Sequence, residues 1–153
     1  MSMYQRILLA VDGSQSSGLA LSQAIILATA TGAEVKALFV ADDSDAFFDV
    51  AYFDARALME SIRSFGRKVL TEAEGKLEAA GIRHTTQLVE KPVAPGQISS
   101  TIVAQADAWN ADLIVLGTHG RRGVRRLLMG SVSEGVVGKT NRPVLLIRSE
   151  VEG

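Results

Sequence analysis

Cysteine is missing from all 153 residues, which excludes disulfide staples, thiolate metal sites and a cysteine nucleophile together. A bias of charge is missing too: 16 Lys and Arg against 17 Asp and Glu leave a formal net charge of -1. No global attraction to nucleic acid or to an anionic membrane follows from that, and any basic surface has to be local. Long apolar runs are also absent. The first run, Ile7 to Val11, is far shorter than a signal-peptide core or a membrane span. The expectation is a cytoplasmic protein with no membrane span and no nucleic-acid partner. Histidine is scarce, and neither His84 nor His119 has Cys or His companions at a ligand spacing, so no metal site built from side chains is expected. His84, at the start of a strand, reads as structural, while His119 suits either a phosphate contact or an exposed loop.

What the chain does have is enough apolar content, 47%, to build a core, at a size suited to one domain over residues 1–153. Short strand-like runs alternate with longer helical patterns, the mark of βαβ units on a mainly parallel sheet. Five strands are expected, Arg6 to Val11, Glu34 to Val40, Arg83 to Val89, Asp112 to Gly117 and Val144 to Arg148. Helices are expected at Ser16 to Thr31, Ala57 to Ala80, Gln97 to Trp109 and Ser131 to Lys139, the second closed by Gly81 and the fourth ended before Pro143. In the first of them Leu19, Ala20, Ile26, Leu27 and Ala30 are expected to face inward. Right-handed crossovers then produce a three-layer α/β sandwich.

The densest signal lies between the fourth strand and the last helix. Gly117-Thr118-His119-Gly120 is followed, after nine further residues, by Gly130-Ser131, and Ser131-Val132-Ser133-Glu134 has the spacing of a capping box. The order is strand, glycine loop, helix. Glycines let backbone pass close to a polyanion, and the unpaired N–H groups at a helix start, with its positive dipole end, favour negative charge. The interval carries Arg121, Arg122, Arg125 and Arg126 and has no acidic residue from Leu113 to Ser133. In a doubly wound sheet, ligands sit beyond the carboxyl ends of the strands where the strand order reverses. Asp12, after the first strand, and Gly117 then face each other across a crevice, a carboxylate for a ribose hydroxyl or exocyclic amine at one end and a phosphate loop at the other.

Gly117-x-x-Gly120-x9-Gly130-Ser131, with Asp12 after the first strand and Pro143-Val144-Leu145-Leu146-Ile147 as the last, resembles the universal stress protein family, specifically its ATP-binding branch. The resemblance runs from Tyr4-Gln5-Arg6-Ile7-Leu8 to the final strand. It implies a five-stranded parallel sheet in the order 3-2-1-4-5 and dimerisation through the fifth strand. It implies adenine and ribose contacts from Ala10, Val11, Asp12, Val40 and Leu116. Phosphate contacts would come from Gly117, Gly120, Gly130, Ser131, Val132 and Ser133. ATP would bring magnesium or manganese with its triphosphate.

Other roles compete at several of these positions. The glycines also suit tight turns, Asp12 suits an Asx-turn with Gly13 and Ser14, and the Ser131 hydroxyl suits a cap on Ser133 or Glu134 N–H. Some of the arginines suit a solvated surface. Gly138-Lys139-Thr140 imitates the end of a Walker A motif, but the glycine that motif needs is Ser133 here, and the triplet ends a helix, where Lys139 complements the dipole. A homodimeric regulatory protein that binds an adenine nucleotide is the expected function. The alternatives are a slow ATPase or phosphotransferase, for which no catalytic base or Walker B carboxylate is evident, and a ligand-independent dimeric scaffold. Two stretches depart from the family pattern: Glu90-Lys91-Pro92-Val93-Ala94-Pro95-Gly96, and Ala41 to Asp54. The latter holds five aspartates and four of the eight aromatics in the chain. It reads either as a flap that orders against an unknown protein partner or as an extension of the second helix.

Overall fold

The computed structural model describes residues 4–41, 55–90, 98–118 and 131–148. Among the described residues the elements alternate along the chain: β1 (Arg6–Ala10), α1 (Gln15–Thr31), β2 (Glu34–Val40), α2 (Ala55–Ala79), β3 (His84–Val89), α3 (Ile98–Trp109), β4 (Leu113–Gly117), α4 (Ser131–Lys139) and β5 (Val144–Ile147). Each expected strand and helix is present. The strands form one parallel sheet in the order β3-β2-β1-β4-β5.

Strand composition explains the layering. Side chains alternate across a sheet, and these strands are apolar at both parities, so both faces must be covered. Ile7, Leu9, Val35, Ala37, Phe39 and Val115 pack with α1 and α2, while Leu8, Leu38, Ile114 and Leu116 pack with α3 and α4. The sheet starts are tied by Asp112, whose carboxylate accepts from the backbone N–H of Gln5 at 2.7 Å and of Arg6 at 3.1 Å. At the same pole Arg6 and Lys36 lie 5.8 and 5.7 Å from the centroid of the Trp109 ring. His84 opens β3 with its ring Nδ1 donating to the carbonyl of Ile82 at 2.8 Å, the structural role expected of it.

One expectation fails. In α1 the buried residues are Ser16, Ser17, Ala20, Leu21, Ala24 and Ala28, whereas Leu19 is 38% and Ile26 58% exposed, Ala30 is exposed and Leu27 only half-buried. Of the residues expected inward, only Ala20 is buried. The helix contains no charged residue in its 17 positions, so polarity does not mark an outer face. Size decides instead: a stripe made of serine and alanine with the single leucine Leu21 lets the helix axis approach the sheet closely, and Leu19 and Ile26 are turned away.

Candidate functional site

The turn from β1 into α1 is closed by its own side chains. After Ala10 the ladder gives one more bond, Val11 N–H to the carbonyl of Leu38 at 2.9 Å. Asp12 Oδ1 then accepts from Ser14 N–H at 2.9 Å, which is the Asx-turn that competes with a ligand role for this carboxylate. Ser14 caps α1 by accepting from Ser17 N–H at 3.2 Å, and the Ser17 hydroxyl accepts from Asp12 N–H at 3.1 Å. Gly13, with φ of +84°, makes the left-handed step that a side chain would resist, and an added Cβ would lie 2.7 Å from the ring of Phe65 in α2. Asp12 itself is only half-buried, so the turn presents it at the carboxyl end of β1.

β4 pairs with β1 through Ile7, Leu8 and Leu9 opposite Leu113, Ile114 and Val115. Two residues further along that register stand Val11 and Gly117, at the point where the order of the sheet reverses. Gly117 is wedged against α1: a Cβ there would stand 2.2 Å from the Ser16 hydroxyl. The residue after it, Thr118, is 4% exposed and still belongs to the sheet, its N–H donating to the carbonyl of Ile147 at 3.0 Å. The chain returns at α4, whose first residue is Ser131, and the buried Ser133 hydroxyl donates to the carbonyl of Thr118 at 3.0 Å. The first turn of α4 is thereby held against the end of β4.

Four of the expected site residues come together. Ala10, Val40, Leu116 and Val132 share one apolar cluster on the α3 and α4 face; Leu116 is buried and the other three are half-buried at the carboxyl ends of β1 and β2 and in the first turn of α4. Val11 faces the opposite cluster. Gly120, Gly130, His119 and the four arginines of the glycine interval lie outside the described residues, as do residues 42–54 and 91–97. Sequence reading missed two roles. It assigned Ser133 to phosphate without seeing that its hydroxyl holds Thr118, and it treated Gly117 as a ligand contact without the packing against Ser16. The buried apolar run of β4 was the available signal for the second, since a helix crossing such a strand needs a small residue where it touches.

The end of α4 behaves as a helix terminus and not as a phosphate loop. Thr140 N–H donates to the carbonyl of Val136 at 3.0 Å, and Lys139 Nζ donates to the hydroxyls of Ser99 and Ser100 in α3, each at 2.8 Å. At the opposite pole a polar cavity of about 370 Å³ is lined by Gln5, Arg6, Thr31, Gly32, Glu34 and Arg83. Its guanidinium groups are engaged by the protein, Arg6 with the Trp109 carbonyl at 2.9 Å and Arg83 with that of Gly32 at 3.3 Å. Among the described residues no cluster of three His, Asp or Glu is placed to hold a metal ion, and no helix is long and apolar enough to cross a membrane.

Comparison with known proteins adds to this geometry. The model of the universal stress protein family matches residues 3–148. Universal stress protein MJ0531 of Methanocaldococcus jannaschii is 33% identical over 96% of this chain and 84% of its own length. The solved structure of MJ0577 superposes with a TM-score of 0.82 at 26% identity, covering 97% of this chain and 98% of that one. A universal stress protein solved in complex with cAMP superposes with a TM-score of 0.65 at 27% identity, covering 95% of this chain and 98% of that one.

Proposed function

This chain belongs to the universal stress protein family, and from that premise we propose that it belongs to the nucleotide-binding branch and acts as a homodimeric regulatory switch that binds ATP. One observation carries the reading. The bond from Ser133 to Thr118 sets the first turn of α4 beside the end of β4, where the sheet order reverses. The N–H groups of Ser131 and Val132, at the start of that turn, suit phosphate oxygens. The half-buried surfaces of Ala10, Val40 and Val132 suit the flat apolar face of a base. Asp12 keeps a second carboxylate oxygen for a ribose hydroxyl while Oδ1 closes its turn. Gly117 contributes here by admitting Ser16, and Gly120 and Gly130 complete the phosphate loop with the basic residues between them.

The donor set also says how a cation would be held. With no acidic residue between Leu113 and Ser133, magnesium or manganese would travel with the triphosphate and its waters instead of on a protein carboxylate cage. That arrangement suits binding better than phosphoryl transfer, which needs a base and metal carboxylates near the terminal phosphate. A second reading is favoured by the cAMP complex of the relative: a monophosphate or cyclic nucleotide would use the same base surface and fewer of the α4 N–H groups.

Identification of the nucleotide released by heat from purified protein, followed by calorimetry with ATP, AMP and cAMP, separates these readings. Gly130→Val pushes a side chain into the phosphate path and abolishes ATP binding while the circular dichroism spectrum stays native. Unchanged affinity in that variant rules the site out.

A further inference from the structure

Resting on the nucleotide reading above, we propose that the backbone of Thr118 couples occupancy of the nucleotide site to the outer strand of the sheet. Thr118 is bonded in two directions. Its N–H donates to the carbonyl of Ile147, the last residue of β5, and its own carbonyl accepts the hydroxyl of Ser133, the third residue of α4, both at 3.0 Å. Thr118 is 4% and Ser133 2% exposed, so neither bond is exchanged readily for water. On one side stands the helix turn whose N–H groups would meet phosphate, and on the other the end of β5.

The neighbouring contacts direct the effect outward. β4 cannot yield toward α1, because Gly117 already stands against the backbone of Ser16, with 2.7 Å between an ideal Cβ and the Ser16 carbonyl carbon. β5 can yield. It has four residues, all half-buried, and it closes the order of the sheet, so among the described residues its ladder partner is β4 alone. The register places the N–H groups of Leu145 and Ile147 and the carbonyls of Pro143, Leu145 and Ile147 toward β4. Short edge strands open locally at low free-energy cost, which makes β5 the two-state element that such a coupling requires. An anion on the first turn of α4 fixes Ser133, Ser133 fixes Thr118, and Thr118 holds the end of β5 closed. By reciprocity, whatever holds β5 closed, including pairing with another strand, tightens nucleotide binding by the same factor.

Amide hydrogen exchange at Thr118, Leu145 and Ile147, with and without ATP at a concentration that calorimetry shows to be saturating for each protein, tests the coupling. In the unaltered chain ATP slows exchange at these amides about five- to tenfold, the factor one hydrogen bond carries. In Ser133→Ala, saturated with ATP, the slowing is lost, and in Ser133→Thr, which keeps a hydroxyl, it returns. Ser133→Cys, close in volume and a weak donor, replaces the alanine variant if that does not fold. Two results overturn the coupling and leave the nucleotide reading standing: ATP binds without slowing these amides, or the slowing survives the loss of the hydroxyl. No heat of ATP binding in the unaltered chain overturns both.

Discussion

Gly117 and Ser16 meet at a distance that leaves no room for a side chain: a Cβ on Gly117 would stand 2.2 Å from the Ser16 hydroxyl and 2.7 Å from its backbone carbon. The φ of Gly117 is not positive, so space and not backbone conformation demands the glycine. A rotamer change relieves a clash with a hydroxyl but not one with backbone. Gly117→Ala therefore forces α1 away from β4 and lowers stability by about 1 to 3 kcal/mol. Urea unfolding checks this, with a lower midpoint at an unchanged slope as the expected result.

Asp112 supports the opposite pole by accepting from two backbone N–H groups at the start of β1, more than a hundred residues earlier in the chain, those of Gln5 and Arg6. Asp112→Ala leaves both donors to water at the exposed amino-terminal end of the sheet and costs about 1 to 2 kcal/mol, discounted for that exposure. Asp112→Asn keeps one acceptor and costs less. Equal losses in the two variants, read from thermal or urea unfolding, would mean that the charge and not the pair of hydrogen bonds matters.

The elements were legible because apolar runs, helix-length patterns and Gly or Pro punctuation agreed along the chain, as at Gly81 and Pro143. The inner face of α1 was not. Its lack of charge removes the polarity signal, and a rule that sends large apolar residues inward selects Leu19 and Ile26, which the packing turns out. The roles of Gly117 and Ser133 depend on partners far away in sequence, Ser16 and Thr118, and no local pattern encodes them. Placing α4 beside β4 needed only the strand, loop and helix order, which is why the first turn of that helix was found and the duty of its hydroxyl was not.

The outward packing of Leu19 and Ile26 sets how substitutions in α1 act. Ile26, at 58% exposure, tolerates Ile26→Ser within about 0.5 kcal/mol. Ala24, fully buried against the sheet, does not tolerate enlargement, and Ala24→Leu costs about 1 to 3 kcal/mol. The reverse ranking in a thermal scan would restore the inward assignment of the large residues.

Catalysis is expected to be slow. The residues nearest the expected phosphate position, Ser131 to Ser133, present backbone donors and two hydroxyls, that of Ser133 already bonded to Thr118, and none of them is a general base. Turnover of ATP should fall far below the roughly 1 to 100 per second of kinases. Phosphate release at such rates, abolished by a point change in the site, would identify a catalytic group among the residues of the glycine interval.

The proposed homodimer depends on the open side of β5, and the ladder divides that strand in a way its sequence does not reveal. Ile114 N–H donates to the carbonyl of Pro143 and Thr118 N–H to that of Ile147. With Ile114 opposite Val144 and Leu116 opposite Leu146, the N–H groups of Leu145 and Ile147 point into the sheet, and those of Val144 and Leu146 point out of it. Proline at the two central positions then has different effects. Leu145→Pro removes an internal ladder bond, and instability is its main result. Leu146→Pro leaves the inward bonds in place and removes a donor that a second copy of β5 would need, since symmetric pairing satisfies both outer rows only when both are intact. Sedimentation equilibrium should find the unaltered chain dimeric and Leu146→Pro monomeric with a native circular dichroism spectrum. A folded Leu146→Pro dimer of undiminished affinity would move the interface away from β5.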